Sequence, residues 1–250
     1  MLIINHLSKT YKGGKKAVDD ISLRVEPGDL FGFIGHNGAG KTTTIRSVVG
    51  VLDFEDGEIL IDGRSVKEEP VQCKKVTAYL PDNPDLYEHL TGIQYLNFIA
   101  DIFGVPAAAR EERIRKYADA FEITGNLGDL VSSYSHGMKQ KLAIISAVIH
   151  EPKLLVLDEP FVGLDPKAAV VLKGVMRELC AGGSAIFFST HVLDTAEKLC
   201  SKVAMIHHGR IAFAGTMEDM LRVKQGGSLE EIFMEIVSHE ERGSGGGAEK

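Results

Sequence analysis

The sequence contains little cysteine, and its cysteines form no recognised pattern. Cys73, Cys180 and Cys200 are the three cysteines among 250 residues. An odd number without C-x-x-C spacing argues against a disulfide framework. We therefore expect a reduced, cytoplasmic chain whose thiols are buried or half-buried and chemically quiet.

Long hydrophobic runs are also missing. The most apolar helical stretch, LAIISAVI at residues 142–149, is far shorter than the roughly 20 residues needed to span a bilayer. The first residues, MLIINHLSKTYKGGKK, lack the apolar core of a signal peptide. We expect no direct membrane insertion, so any membrane role would come through a partner.

Positive charge is in deficit, because 28 Lys and Arg residues face 35 Asp and Glu residues, a net charge of −7. Nucleic-acid binders usually present a basic face, so we expect no nucleic-acid partner. Hydrophobic residues make up 44% of the chain, and no internal repeat is visible. The length suits one large domain, or a domain with an inserted lobe.

The order of the predicted elements is that of an α/β protein. Apolar stretches before about residue 63 predict strands, and helical spacing dominates from about 90 to 150. Buried strands of the parallel type return at KLLVLDE and SAIFFST, on either side of a helical stretch. KVAMIHHGRIAFAG predicts a hairpin that turns at His208-Gly209. The pattern predicts a parallel-sheet core with an inserted helical lobe.

We expect one domain over residues 1–224, with its core formed by 1–89 and 151–224 and its helical lobe by 90–150. Residues 225–250 contain LEEIFMEIV, which predicts a short amphipathic helix, and end in the Gly/Ser-rich RGSGGGAEK, which predicts a flexible tail. The helix would pack on its own domain, which we favour, or on a partner.

A phosphate-binding loop is the strongest motif. Residues 35–42 read GHNGAGKT and match G-x-x-x-x-G-K-[ST] between an apolar strand and a helical stretch, which is the context that this motif requires. Backbone N–H groups of such a loop wrap around phosphates at a helix N-terminus. Lys41 would pair with the β- and γ-phosphates, and the Thr42 hydroxyl would hold Mg²⁺.

Two acidic residues follow the predicted strand LLVLDEP at 154–160. Open α/β sheets bind ligands at the carboxyl edge of their strands. Asp158 would hold Mg²⁺ through water, and Glu159 would polarise the attacking water. Alone, such a pair could simply be a solvated loop; beside a phosphate loop, the catalytic interpretation is favoured.

His191 follows the strand SAIFFST, which would end at the same edge. A lone histidine is more often structural. Here its position favours contact with the γ-phosphate.

A second anion-binding element is YSHGM at 134–138, at the start of a helical run. Ser135 and Gly137 could offer a hydroxyl and backbone donors to a phosphate. Locally, Ser135 as an ordinary N-cap of a core helix explains the sequence equally well.

Together these motifs resemble the ATP-binding cassette (ABC) ATPase family, over essentially residues 2–220. The resemblance implies a P-loop NTPase core with an N-terminal antiparallel β subdomain and an inserted helical lobe. YSHGM resembles the family's L-S-G-G-Q signature, and GLDP at 163–166 its loop after the catalytic glutamate. It implies that Tyr11 stacks on adenine, that Glu159 and His191 are catalytic, and that Mg²⁺ is held by Thr42, Asp158 and Asp82. The implied ATP contacts are Tyr11, Gly35, Asn37, Gly38, Ala39, Gly40, Lys41, Thr42, Thr43, Ser135 and Gly137.

The chain departs from the family pattern at several positions. His36 stands where proline is usual, His136 replaces the first glycine of the signature pair, and Met138 replaces its glutamine. Asp82 occupies the place of a glutamine that links Mg²⁺ to the helical lobe. A carboxylate could hold Mg²⁺ but repels γ-phosphate without it; it could equally cap the turn between Pro81 and Pro84.

In the family two cassettes pair head to tail, and the signature of one covers the ATP held by the phosphate loop of the other. The signature and the LYEHLTG segment most resemble single-cassette subunits of ABC-2 type exporters. This implies an ATPase that forms a dimer, a homodimer being favoured, and attaches to a separate membrane permease at the inner face of the cell membrane. The alternatives are a soluble cassette of translation or DNA repair, and a regulatory cassette that does not hydrolyse ATP.

Overall fold

The structure, a computed structural model, describes residues 1–222 and 228–235. The strands are β1 (Leu2–Thr10), β2 (Lys16–Val25), β3 (Leu30–Ile34), β4 (Asp56–Ile61), β5 (Arg64–Ser65), β6 (Thr77–Leu80), β7 (Leu154–Asp158), β8 (Ala185–Thr190), β9 (Lys202–His207) and β10 (Arg210–Thr216). The helices are α1 (Lys41–Val48), α2 (Pro70–Lys75), α3 (Gly92–Ile102), α4 (Ala107–Ala120), α5 (His136–Val148), α6 (Pro166–Ala181), α7 (Leu193–Leu199) and α8 (Met217–Arg222). Residues 229–235 are also helical.

The larger sheet has the strand order β10-β9-β3-β8-β7-β6. Strands β9, β3, β8, β7 and β6 run parallel, and β10 pairs with β9 as the predicted antiparallel hairpin. Strands β3, β7 and β8 are buried along their whole length, as expected for near-continuous apolar runs covered on both faces. Their carboxyl ends therefore meet at one edge.

The smaller sheet is antiparallel, with the order β2-β1-β4-β5. Its apolar side chains alternate along β1, β2 and β4 and pack with Phe31 and Phe33 of the larger sheet. The predicted fold class, a P-loop NTPase core with an N-terminal antiparallel β subdomain, is confirmed.

Helices α3, α4 and α5 lie between β6 and β7 in the chain. Helix α3 begins with a capping box in which Thr91 and Gln94 exchange hydrogen bonds, a device that satisfies two free backbone donors. The apolar run of α5 is buried almost completely. The domain boundaries themselves stay a prediction.

Helices α2 and α7 and strand β6 were not predicted, because each is short and has weak periodicity. The helical residues 229–235 bury Leu229, Ile232 and Phe233 in the main core; the rest of the predicted tail falls outside the described residues. Within the described ranges, no helix combines the length and apolarity needed to cross a membrane.

All three cysteines are free, Cys73 and Cys200 buried and Cys180 half-buried. Burial, followed by the charge of Asp29, raises the pKa of Cys180 to about 11. This favours the unreactive thiol form.

Candidate functional site

A cleft opens at the carboxyl edge of the parallel sheet, beside the phosphate loop. The antiparallel subdomain closes one side of it through Tyr11, Lys15 and Ala17. The predicted residues that line the cleft are Tyr11, Asn37, Gly38, Gly40, Lys41, Thr42, Thr43, Asp82, Asp158 and Glu159. The fold thus brings together side chains that are up to about 150 positions apart in the sequence, since parallel strands end at the same edge.

The phosphate loop turns sharply between β3 and α1. Gly40, the residue before α1, has φ of 116°, a conformation that L side chains rarely adopt. A Cβ atom there would lie 2.6 Å from the carbonyl oxygen of Ala17. Glycine at position 40 is therefore required both by the turn and by the close approach of β2.

Lys41 lies buried beneath the loop and is bonded to it. Its Nζ donates to the carbonyl of Gly35 at 2.6 Å and to that of His36 at 3.3 Å. The same atom is 3.4 Å from Glu159 Oε1. The ammonium group thus lies between the loop and Glu159. A phosphate bound in the loop would meet this positive charge.

The loop is also held by one internal hydrogen bond and by one from the β9–β10 hairpin. The Ala39 amide donates to the His36 carbonyl at 3.1 Å, and the Ala39 carbonyl accepts from Gly209 at 2.9 Å. The β9–β10 hairpin therefore supports the loop through its turn at Gly209.

Glu159 is held in a strained and largely buried position directly after β7. Its φ is 48°, in the left-handed region that few non-glycine residues occupy. Its carboxylate lies 3.0 Å from His191 Nδ1 and accepts weakly from the His191 amide at 3.4 Å. His191 does not line the cleft itself but contacts it through Glu159.

Ser189, on β8, is a site residue that sequence reasoning missed. Its hydroxyl donates to Asp158 Oδ1 at 2.6 Å and accepts from the Glu159 amide at 3.0 Å. Ser189 is fully buried and is paired in register with Asp158. One hydroxyl therefore orients both acidic residues, which we call the acid pair.

Asp82 faces the acid pair from the loop after β6. Burial raises the pKa of Asp82, and the charges of Asp158 and Glu159 raise it further. Within the described residues its side chain forms no hydrogen bond that would cap the turn between Pro81 and Pro84. Three carboxylates therefore share this part of the cleft, which a cation would stabilise.

The donor set fits Mg²⁺. The exposed Thr42 hydroxyl and two carboxylates, Asp158 and Asp82, line the same cleft. Mg²⁺ prefers oxygen ligands and commonly takes one or two carboxylates together with substrate phosphates. The described residues contain no group of three or more His, Cys, Asp or Glu side chains that could bind a metal without such a substrate.

Tyr11 lies at the mouth of the cleft and is 41% exposed. Its hydroxyl is 3.2 Å from Thr43 Oγ1, which ties the ring to the first turn of α1. The ring is thus available for stacking beside the phosphate loop.

The predicted signature does not line the cleft. Ser135 is exposed and caps α5, accepting from the Met138 amide at 3.3 Å; the N-cap alternative therefore describes its local contact. Gly137 sits against Gly163 of the GLDP loop, and His136 packs over the same glycine. Neither Ser135 nor Gly137 is among the described residues that line the chain's own cleft.

Comparison with known proteins decides the family. A family model described as ABC transporter matches residues 18–162, a span that holds both the phosphate loop and the acid pair. The chain belongs to the ABC transporter family. It is an ATP-binding subunit and an ATPase that uses ATP with Mg²⁺, as the resemblance implied.

Individual relatives are similar to this chain over nearly its whole length. The ABC-type transporter ATP-binding protein EcsA of Bacillus subtilis is 35% identical over 224 residues, covering 88% of this chain and 90% of that protein. A solved ATP-binding subunit of an ABC transporter superimposes with a TM-score of 0.91 at 36% identity, covering 95% of this chain and 99% of that one.

A more distant structure shares the fold alone. It is a dimeric ATP-binding cassette in a post-hydrolysis state with ADP and Pi, with a TM-score of 0.79 at 19% identity. It covers 87% of this chain and 99% of that one.

Proposed function

We propose that this ATPase works as a head-to-tail dimer that binds two ATP molecules between its subunits and drives a separate membrane permease, as an exporter. The observation that carries the proposal is the position of the signature. Ser135 is exposed at the N-terminus of α5 and does not line its own cleft, so we infer that it acts on a nucleotide held by another subunit. The dimeric cassette of the same fold supports this arrangement.

Within one subunit, the phosphate loop would hold ATP by its backbone amides and Lys41, while Tyr11 stacks on the adenine. Lys41 is already desolvated and aimed between the loop and Glu159, so its charge acts in a low-dielectric setting. The resident Mg²⁺ would neutralise charge on the phosphates and would be held by Thr42, Asp158 and Asp82.

Hydrolysis would use Glu159 and His191. Glu159 would accept a hydrogen bond from the attacking water, whose oxygen forms the new bond to the γ-phosphorus as the bond to ADP breaks. His191 would hold the Glu159 carboxylate in place, consistent with their separation of 3.0 Å, and would contact the γ-phosphate. The products are ADP and inorganic phosphate.

A groove on the helical side of the sheet supports the proposal that a membrane partner binds this subunit. Its lining is mainly apolar and encloses about 350 Å³ between the end of α1, strand β6 and helices α3 and α5. Val51 at its rim is 67% exposed, and exposed apolar patches of this kind commonly mark protein interaction sites. Because α1 joins the phosphate loop directly to this groove, a cytoplasmic segment of the permease docked there would sense the nucleotide.

The decisive test of the dimer is Glu159→Gln. We expect ATP turnover to be lost while ATP binding persists, so that ATP and Mg²⁺ convert the variant to a dimer in size-exclusion chromatography with light scattering. A variant that stays monomeric at saturating ATP would refute the head-to-tail site.

Ser135→Arg tests the contribution of the signature. It should abolish turnover without weakening ATP binding to the monomer, whereas the matched control Ser132→Arg, at another exposed serine nearby, should remain active. Full activity of Ser135→Arg would favour a plain helix cap.

The groove and the direction of transport need separate tests. Val51→Asp should abolish co-purification with the permease and leave the ATPase of the isolated subunit unchanged; Val170→Asp, on the equally exposed face of α6, is the control. The exporter assignment is supported by the resemblance of the signature and of LYEHLTG. A neighbouring reading frame for a six-span membrane protein would support it further, and its absence would count against it.

A further inference from the structure

The helical segment 229–235 packs beside the phosphate loop and His191. Leu229, Ile232 and Phe233, spaced three and four residues apart, are 0%, 2% and 4% exposed, as on the apolar face of an amphipathic helix. The Leu229 amide donates to the Glu197 carboxylate on α7 at 3.1 Å. Because α7 follows His191 closely, the segment is anchored to an element of the site.

Phe233 makes a specific contact with the phosphate loop. Its ring meets the His36 ring at a centroid distance of 4.7 Å and an angle of 67°, the edge-to-face arrangement that aromatic rings prefer. A small cavity of about 160 Å³ beside this pair is lined by His36, His191, Glu230 and Phe233. The segment therefore reaches both the loop and the catalytic histidine.

His36 is important for the shape of the loop. Its carbonyl accepts hydrogen bonds from Lys41 Nζ at 3.3 Å and from the Ala39 amide at 3.1 Å. His36 is exposed and lines both the ATP cleft and the small cavity beside Phe233. Of the described ring contacts, that with Phe233 is the one that restrains it. Proline, which is usual at this position in the family, would instead fix the backbone through its own ring.

We propose that Phe233 is a positioning residue for ATP binding: by packing on His36 it holds the phosphate loop in its binding conformation. The proposal rests on the proposed role of that loop. When a ligand binds only one conformation, the apparent affinity falls in proportion to the population of that conformation. Removing the Phe233 ring should therefore weaken ATP binding even though Phe233 lies outside the ATP cleft.

The test is a double-mutant cycle with Phe233→Ala, His36→Ala and the double variant. ATP affinity is measured by isothermal titration calorimetry in EDTA, where no turnover occurs. We expect Phe233→Ala to weaken ATP binding by roughly three- to tenfold, the factor that corresponds to an aromatic pair of this geometry. The same change should have little further effect in the His36→Ala background, because its partner ring is already gone.

Two variants separate positioning from simple packing. Ile232→Ala removes a similarly buried side chain that does not line the cavity beside the loop, so it should lower Tm without changing ATP affinity. Phe233→Leu keeps most of the apolar volume but not the ring, and it should also weaken ATP binding. It replaces Phe233→Ala in the test if that variant fails to fold. Phe233→Tyr should retain wild-type affinity.

The outcomes distinguish a failure of the positioning role from a failure of the proposed function. Unchanged affinity in Phe233→Ala or Phe233→Leu, or an equal loss with and without His36, would overturn the positioning role. If Lys41→Ala also bound ATP like the wild type, the phosphate loop would not be the ATP site, and the proposed function would fall with it. Loss of binding in Lys41→Ala with normal binding in the Phe233 variants refutes the positioning role alone.

Discussion

Replacing Ser189 by alanine should damage the site without touching a ligand. The substitution removes the hydrogen bond to Asp158 at 2.6 Å and leaves the Glu159 amide without its acceptor. A buried hydrogen bond to a charged group contributes about 1.5–3 kcal/mol, and an orphaned donor costs a similar amount. We expect the free energy of unfolding to fall by about 3 kcal/mol, which lowers Tm by about 6–12 °C in a chain of this size.

The substitution should also lower activity, separately from its effect on stability. Residues that orient a metal ligand typically contribute about 10- to 100-fold in metal affinity or activity. Ser189→Ala should therefore raise the Mg²⁺ concentration for half-maximal ATPase activity and lower kcat, while ATP binding in EDTA stays near normal.

The assay pairs urea unfolding with an Mg²⁺ titration of ATPase activity, and Ser184→Ala serves as the control. Ser184 lies just before β8, at the opposite edge of the sheet, where its hydroxyl donates to the Pro152 carbonyl at 2.8 Å. That change should cost only about 1 kcal/mol, as for a neutral hydrogen bond. If both variants lost equal stability and kept the same Mg²⁺ dependence, the role assigned to Ser189 would be wrong.

The remaining predictions concern the backbone and pH. Gly40→Ala should abolish ATP binding, because its Cβ would meet the Ala17 carbonyl; Gly38→Ala, at φ 80° in open space, should cost only about 1–2 kcal/mol in urea unfolding. Burial and the acid pair raise the pKa of Asp82, so Asp82→Asn should increase the free energy of unfolding of the Mg²⁺-free protein at pH 7. This gain should vanish at acidic pH, where the wild-type carboxylate is protonated. If urea unfolding shows no gain at pH 7, the three carboxylates do not repel one another as inferred. Burial lowers the pKa of His150 from 6.5 to about 4, so the unfolded state binds the extra proton between these values. Relative to His150→Phe, the wild type should lose about 2 kcal/mol of unfolding free energy from pH 6.5 to 5; parallel pH profiles would contradict this.

The parts of the site that the sequence predicts are those encoded in contiguous residues. A phosphate loop between a strand and a helix, and an acid pair at the end of an apolar strand, each carry their own context, and parallel pairing then places them together. Even His191 follows from the end of β8, once the sheet is known to be parallel.

What the sequence does not reveal depends on register and on distant packing. Ser189 looks like one polar residue in an apolar strand until β8 is paired with β7 and the hydroxyl is seen to face Asp158. The contact of Phe233 with His36 joins positions almost 200 residues apart. Strand β6, only four residues long, has no periodic signal, although it carries the chain to Asp82.

The placement of β8 between β3 and β7 has a mechanical consequence. Strand β3 leads into the phosphate loop, and strand β7 carries the acid pair. Both are paired to β8, whose residues are all buried. The phosphate loop and the acid pair cannot separate at their strands unless the backbone hydrogen bonds of β8 to β3 or β7 break. We therefore expect ATP entry and ADP release to leave the pairing of β3, β8 and β7 intact.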